Sequence, residues 1–500
     1  MKQILPRFPL LERLRQEPIG GVLVSLAGDS AAYLAGGVLL GLGNVVLIPL
    51  YTRTLTTREF GVYALLDVTI LLLVAVTALK LDVSYLKWFA DLEPAHQGEL
   101  LGTTLLTGLA ASTFGGTILS LLVASHVGES WVHASVKSYA WLLLPIVVLE
   151  NLQSLLLTDL RARRCAISYS GAAVVRLACM IFASYYLLAV RHSGLAGLFL
   201  GRLAGDAGGV LYLCAASLRF VAWRFAPSLL RPMLAFGLPL IWSTFTVMLQ
   251  DASGRYFLGR SGTMEEVGVL GAAIKVGAVF QILVAAPFGV AWGSLLFQIA
   301  KQPGARIIYT KILNYVYVFA LGVALVLAIL APALIHIFTA PAYYAAIGIL
   351  PLILLVRAMN VIEQPAATGI YLAGRTKLFA GIYTVALALN LLMLHELVPR
   401  YGAAGVGWAW FMSSASVPIL MLAIGQRFYR LRLSAKLVVV PIIAWIVVAR
   451  WLSFRLWSLS ATRIWLPILA AVVVVCGAAG LLASDFHWMR RDLNARGMNE

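Results

Sequence analysis

Three features of the sequence predict an all-α polytopic membrane protein of about 14 transmembrane helices, twelve of them in two parallel six-helix repeats. Apolar residues make up 61% of the chain, against about 45–50% in ordinary soluble domains. Apolar runs of about 20 residues, the length a helix needs to cross a bilayer, recur from end to end. A short polar phrase also occurs twice: RTLTTREFGV at 53–62 and RSGTMEEVGV at 260–269 are identical at five of ten positions. The short alternating segments of a β-barrel are absent from the sequence.

Taken in order, residues 1–29 are basic and broken by prolines. No small-residue cleavage site follows a short apolar core there, so no removable signal peptide is expected. Leu10 to Arg15 reads either as an interfacial helix or as a solvated basic tail. Spans are expected at 30–51, 61–79, 100–125, 139–158, 169–190 and 195–216, which together form an N-lobe over 30–216. The stretch SLRFVAWRFAPSLLRP (217–232) mixes Arg with Phe, Trp and Leu and reads as an amphipathic linker along the cytoplasmic interface. A C-lobe over 233–425 follows, with spans at 233–251, 267–292, 312–338, 345–365, 378–395 and 403–425. Two further spans, 436–451 and 464–484, occupy the region 426–484, and 485–500 is a cytoplasmic tail.

Orientation follows from Lys and Arg. Alternate loops and the two termini carry 24 of them, the opposite loops carry 10, and Arg176, Arg202, Lys275 and Arg357 fall inside spans. Both termini are therefore expected on the cytoplasmic side. The formal charge of +17 is spread between apolar segments rather than gathered on one face, which argues for membrane topology and against nucleic acid. Cys165, Cys179, Cys214 and Cys476 are scattered without metal-ligand spacing, so neither a zinc site nor a disulfide framework is expected. No P-loop, GxSxG or HExxH is present, and the longest loops, about 20 residues, leave no room for an active site. The sequence does not read as an enzyme.

The echo separates by six spans, so both copies face outward, and an even-numbered repeat is parallel rather than inverted. Thr56 with Glu59, and Thr263 with Glu266, have the spacing of a capping box at a helix start. Gly61 and Gly268, in the first turn, allow close approach of another helix. Arg53 and Arg260 remain over, one per copy: each lines a gate or anchors the chain at the interface.

The run IPLYTRTLTTREFGVYALL (48–66) resembles the first helix pair of bacterial polysaccharide exporters, the Wzx-type lipid-linked oligosaccharide flippases of the multidrug/oligosaccharidyl-lipid/polysaccharide (MOP) exporter superfamily. DASGRYFLGRSGTMEEVGVLGAA (251–273) is similar to the matching part of that family's second lobe. LNLLMLHELVPRYGAAGVGWAW (389–410) is similar to its eleventh-to-twelfth helix connection, with Asn390, Pro399 and Gly402. In one departure, Gly254 precedes Arg255 where the family often has an acid, and the acid here is Asp251. The N-terminal pattern of the peptidoglycan-precursor flippases, in the same superfamily, is not evident. The resemblance implies two lobes in a V shape around a central cavity in the bacterial inner membrane. It further implies that undecaprenyl-pyrophosphate carrying a sugar repeat crosses from the cytoplasmic to the periplasmic leaflet.

Charges at bilayer depth are costly and mark interiors or water-filled cavities. Arg202 and Asp206 are four apart on one span and can pair along it, as can Asp251 and Arg255. Arg176, Lys275 and Arg357 have no opposite charge at helical spacing, so their partner comes from another helix, from water or from a ligand. With Arg202 they are candidates for binding an anionic headgroup, whose oxygens suit Arg and Lys. Arg53, Arg260 and Arg255 are candidate periplasmic gate residues. Asp67, Glu150, Glu363 and Asp251 are candidates for H⁺ or Na⁺ coupling, or hold helix interfaces by hydrogen bonds; no other cofactor is expected. Expected partners are the lipid-linked oligosaccharide, the bilayer, and a polysaccharide polymerase with its glycosyltransferases. An ion-coupled multidrug or cation antiporter of the same superfamily, and a non-transporting component of a polysaccharide synthase, are the alternatives.

Overall fold

The structure, a computed structural model, describes residues 45–124, 139–300 and 304–431, and these contain helices, turns and no strands. The 1–29 segment, the first part of span 1, the spans expected at 436–451 and 464–484 and the 485–500 tail lie outside the described residues.

Helix α1, Ile48–Thr54, opens with a proline in its first turn, where the missing N–H costs nothing. Helix α2, Thr57–Thr77, ends at Leu79 and Lys80, which take φ of 49° and 52°, and the chain resumes as α3, Leu81–Asp91. Next come α4 (Pro94–Ala124), α5 (Ala140–Ala162) and α6 (Ala166–Tyr185), the last passing into a π-helical turn over Tyr186–Val190. Helix α7 is Gly194–Ser217. Helix α8, Pro227–Ser261, bends by 47° between Leu238 and Leu240, around a proline. Helix α9, Met264–Phe280, continues through a π-helical turn into α10, Ala286–Ile299. Then follow α11 (Ala305–Ile329), α12 (Ala331–Phe338), α13 (Ala346–Ala366) and α14 (Thr368–Leu372). The continuous run α15, Lys377–Gly425, breaks at Gly402, whose φ of 53° and ψ of −132° suit glycine. That break falls between the spans expected at 378–395 and 403–425. Among the described residues nine helices are long and apolar enough to cross a membrane, or ten with the bent α8.

The chain divides into two compact units, Met1–Gly43 with Leu73–Ile241 and Asn44–Leu72 with Trp242–Glu500. Set beside the lobes expected at 30–216 and 233–425, residues 45–72 group with the second unit and 233–241 with the first.

In the first unit, α7 presents Gly197, Gly201, Gly205 and Gly209, one per turn, to α6 and the turn after it. A Cβ on Gly201 would stand 2.2 Å from Ser184 Oγ, and one on Gly205 2.7 Å from Met180 Cβ. Small residues at this spacing let membrane helices approach closely. Tyr85, Leu100, Leu156 and Leu213 fill the core beside them. The 217–232 linker is not helical throughout. It makes a 3₁₀ turn at Leu218–Phe220 and then runs extended until α8 begins at Pro227. Ala222 N–H donates to the Gly98 carbonyl (3.0 Å) and Ala226 N–H to Thr103 Oγ1 (3.0 Å), which pins the strand to α4. Trp223 and Phe225 point outward, 63% and 53% exposed.

In the second unit the start of α2 lies across the start of α9. A Cβ on Gly61 would stand 1.9 Å from the Met264 carbonyl oxygen, and one on Gly268 2.0 Å from that of Thr57. Each of these Cβ atoms would also lie close to the other glycine's nitrogen, at 3.1 Å and 3.0 Å respectively. Tyr343 Oη donates to the Leu55 carbonyl (3.1 Å), and its ring packs edge-on to Phe60. A second core, including Trp292, Tyr309, Ile382 and Met421, joins α10, α11 and α15.

Candidate functional site

The helix starts come first, because they set the positions of the charges below them. Thr56 N–H donates to Glu59 Oε2 (2.9 Å) while Glu59 N–H donates to Thr56 Oγ1 (3.2 Å), a reciprocal cap. In the second copy Glu266 N–H donates to Thr263 Oγ1 (3.3 Å). There the Glu266 carboxylate lies instead beside Gly262 and Gly402. Both echo helices therefore begin at equivalent residues and cross at equivalent glycines.

Two turns below that crossing, Lys275 of α9 meets Asp67 of α2. Lys275 Nζ donates to Asp67 Oδ2 (3.1 Å) and to Tyr63 Oη (3.1 Å), and it stands 5.1 Å from the centre of the Tyr63 ring. The side chains are 17% and 9% exposed, so one edge of the pair stays accessible. Neither residue has an opposite charge at helical spacing on its own span; the glycine crossing supplies one by bringing the two helices together.

Arg357 lies on α13, which packs against α9. Gly277 of α9 packs against Ile353 of α13, where a Cβ would be 2.9 Å from Ile353 Cγ2. Arg357 lines a cavity of about 10 Å³ with Asp251, Ile274, Ile353, Val356 and Trp410, room for about one water. Its Nε is buried without an acceptor, and no ion pair is formed by Arg357 among the described residues. Asp251 does not pair with Arg255. Arg255 instead donates through Nη1 to the Ala64 carbonyl (2.9 Å) and is 6% exposed, which ties α8 to α2. Spacing along one helix suggested the first pairing; the Ala64 carbonyl, which closes the second, belongs to another helix.

Gly254 has its own reason. A Cβ there would stand 2.6 Å from Trp410 Cζ2 and 2.6 Å from Val406 Cγ1. An acid at this position would displace Trp410, whose Nε1 donates to the Gln250 carbonyl (3.0 Å). Asn390, fully buried, donates to Ser253 Oγ (2.9 Å), and Gln250 Nε2 donates to Ser413 Oγ (2.7 Å). The buried polar groups of α8 and α15 are thus joined to each other. Glu363 of α13 accepts a hydrogen bond from Tyr383 Oη of α15 and has no cation beside it among the described residues.

In the first unit, four charges close a network across three helices. Arg202 Nε of α7 donates to Glu150 Oε1 of α5 (3.1 Å). Arg176 Nε of α6 donates to Asp206 Oδ1 of α7 (2.8 Å), and its Nη2 lies 3.9 Å from Glu150 Oε1. These contacts run between helices, and Asp206 also feels the charge of Arg202, four residues away on α7. The glycine face of α7 accounts for this, since it brings Arg176 against Gly205 and Gly209. Two arginines and two carboxylates leave the network without net charge. Near the start of the linker, Tyr85 Oη donates to Asp159 Oδ1 (2.6 Å) and Arg163 Nε donates to the same oxygen (2.7 Å). Arg163 also covers the rings of Phe89 and Phe220.

Residues 27–299 match the family described as polysaccharide biosynthesis protein. The chain belongs to that family. No curated protein matches it. Among solved structures, a lipid II flippase MurJ in an inward closed conformation superposes with a TM-score of 0.68 at 12% identity, covering 92% of this chain and 99% of that one. An inward-facing multidrug resistance MATE family transporter of the MOP superfamily gives 0.61 at 14% identity, covering 80% and 94%. A MOP superfamily transporter from Pyrococcus furiosus, described as having a binding pocket of reverse polarity, gives 0.53 at 14% identity, covering 85% and 98%. The polysaccharide biosynthesis family thus has, in this member, the fold of MOP exporters, and the chain is an integral membrane protein.

Within that family fold the sequence-predicted residues separate. Lys275 and Asp67 come together on α9 and α2, and Arg357 lies on α13, which packs against α9. Arg176, Arg202, Glu150 and Asp206 form the neutral network of the first unit. Arg53 and Arg260 are both exposed at helix ends. Tyr63, which holds Lys275, was not singled out in the sequence; its position one helical turn before Asp67 is the signal that marks it. The Asp159–Arg163 pair, also four apart, was missed likewise.

Proposed function

We propose that this protein flips undecaprenyl-pyrophosphate-linked oligosaccharide from the cytoplasmic to the periplasmic leaflet of the bacterial inner membrane, by alternating access, to feed synthesis of O-antigen, capsule or exopolysaccharide. The observation that carries this reading is the presence of Lys275 and Arg357 on two helices that pack at Gly277 and Ile353, in a chain of the polysaccharide biosynthesis family. Lys offers a compact charge and Arg a planar fork of donors, and phosphate oxygens accept both. The similarity to a protein titled as a lipid II flippase supports the same class of cargo. Arg176 and Arg202, spent on Glu150 and Asp206, hold the first unit together in this reading rather than meeting the headgroup. Arg53 and Arg260 act at the periplasmic exit, and the uncompensated Glu363 is the leading residue for H⁺ coupling. A polymerase and glycosyltransferases consume and supply the cargo.

A fluorescent polyprenyl-pyrophosphate sugar in reconstituted vesicles tests this. The wild-type chain should move the probe between leaflets, and Lys275→Ala with Arg357→Ala should stop it while the protein remains folded. Transport by the double variant at the wild-type rate would remove the site, and absence of transport by the wild type would remove the function. A multidrug or cation antiporter predicts the opposite selectivity, with drug export surviving loss of both cations.

A further inference from the structure

Lys275 is placed to receive an anionic headgroup, and an anion of the chain already holds it. Asp67 Oδ2 stands 3.1 Å from Lys275 Nζ, with 9% and 17% of the side chains exposed. An external phosphate cannot use the full charge of Lys275 while that contact stands. Resting on the flippase reading, we propose that Asp67 is a built-in competitor that sets which anions Lys275 accepts.

The chemistry of the membrane gives such a competitor a purpose. Bulk anionic phospholipids present a phosphodiester with one negative charge, in large excess over any carrier lipid. A pyrophosphate diester presents two charges and more acceptor oxygens. A single carboxylate, fixed in place, matches the first in charge and is outmatched by the second. Asp67 leaves Lys275 only for an anion that offers more than a single carboxylate does, which a dianion supplies and a monoanion does not. Tyr63 lowers the cost of that separation. Its hydroxyl accepts from Lys275 (3.1 Å) and lies one turn from Asp67 on the same face of α2, so it can donate to the carboxylate once Lys275 leaves. Asp67 is thus a specificity residue that acts through Lys275 without touching substrate.

The test is a selectivity measurement on the purified full chain in neutral detergent. Binding of a fluorescent polyprenyl-pyrophosphate sugar and of short-chain phosphatidylglycerol is compared for wild type, Asp67→Asn, Lys275→Gln and the double variant. Wild type should prefer the pyrophosphate. Asp67→Asn should bind phosphatidylglycerol about tenfold more tightly and gain much less for the pyrophosphate, so that the ratio falls by about tenfold. In the Lys275→Gln background the Asn substitution should change neither affinity, a non-additivity that general loosening of the helix crossing would not give. Asp67→Ser, smaller and still polar, serves if the Asn variant does not fold. An unchanged ratio in a folded Asp67 variant, or the same gain with Lys275 absent, overturns the proposal and leaves the flippase reading standing. Pyrophosphate binding absent from wild type and variants alike overturns both.

Discussion

Replacing Gly61 and Gly268 by alanine, singly and together, measures how far the α2–α9 crossing depends on two missing methyl groups. A Cβ at Gly61 would lie 1.9 Å from the Met264 carbonyl oxygen and one at Gly268 2.0 Å from that of Thr57, against ordinary contact from 3.4 Å. Both neighbours are backbone, so no side chain can rotate away. The helices must separate by roughly 1.5 Å, which forfeits much of the packing across the crossing. Overpacking of this kind costs about 1–3 kcal/mol. Alanine returns about 1 kcal/mol through its better helix propensity, so each single variant should lose between nothing and about 2 kcal/mol. The second alanine meets helices already apart, and the double variant should fall short of the sum by more than about 0.5 kcal/mol. Reversible unfolding in mixed micelles reads these differences. Gly381→Ala, where a Cβ meets open space, is the control and should be at least as stable as wild type. Two single variants as stable as that control, or a strictly additive pair, would refute the crossing.

Gly254→Asp should destabilise the second unit by about 1–3 kcal/mol, since the new side chain meets Trp410 and Val406; loss of Trp410 fluorescence intensity or shift of its maximum follows it. Arg202→Ala leaves Glu150 with only the 3.9 Å contact to Arg176, and thermal unfolding should register a loss of about 3–5 kcal/mol, partly restored by Glu150→Gln in the same chain. Asn390→Ala removes the donor to Ser253 Oγ and should cost about 1–3 kcal/mol in the same assay.

The positions of the membrane helices were legible because the signal is long: an apolar run of about 20 residues outweighs local ambiguity. Each span expected between 61 and 425 falls on a described helix, and the break at Gly402 falls where two of them were separated. Which charges lie at bilayer depth was legible for the same reason. Which charge meets which was not. Spacing speaks only along a helix: it offered Asp251 to Arg255, whereas Arg255 donates to the Ala64 carbonyl, and it could not show that Arg202 also donates to Glu150 on another helix. The linker 217–232 shows a related limit. Its composition suits an interface, but Gly98 and Thr103, more than a hundred residues earlier, hold it extended.

The echo itself carries more than a duplicated helix start. A parallel repeat explains why both copies keep Thr, Glu and Gly; it does not require the copies to touch. Here they do, each glycine meeting the backbone of the other copy's first turn. Identical residues at one crossing give equal surfaces, but below it the copies diverge: Asp67 and Tyr63 face Lys275 where the corresponding positions of the second copy are Ile274 and Leu270. A symmetric contact thus sets the distance between the helices, and an asymmetric ion pair stands within two turns of it. The glycines could not be exchanged for larger residues without lengthening the Asp67–Lys275 contact. The polar phrase near residue 53 and the buried lysine more than 200 residues later therefore belong to one device.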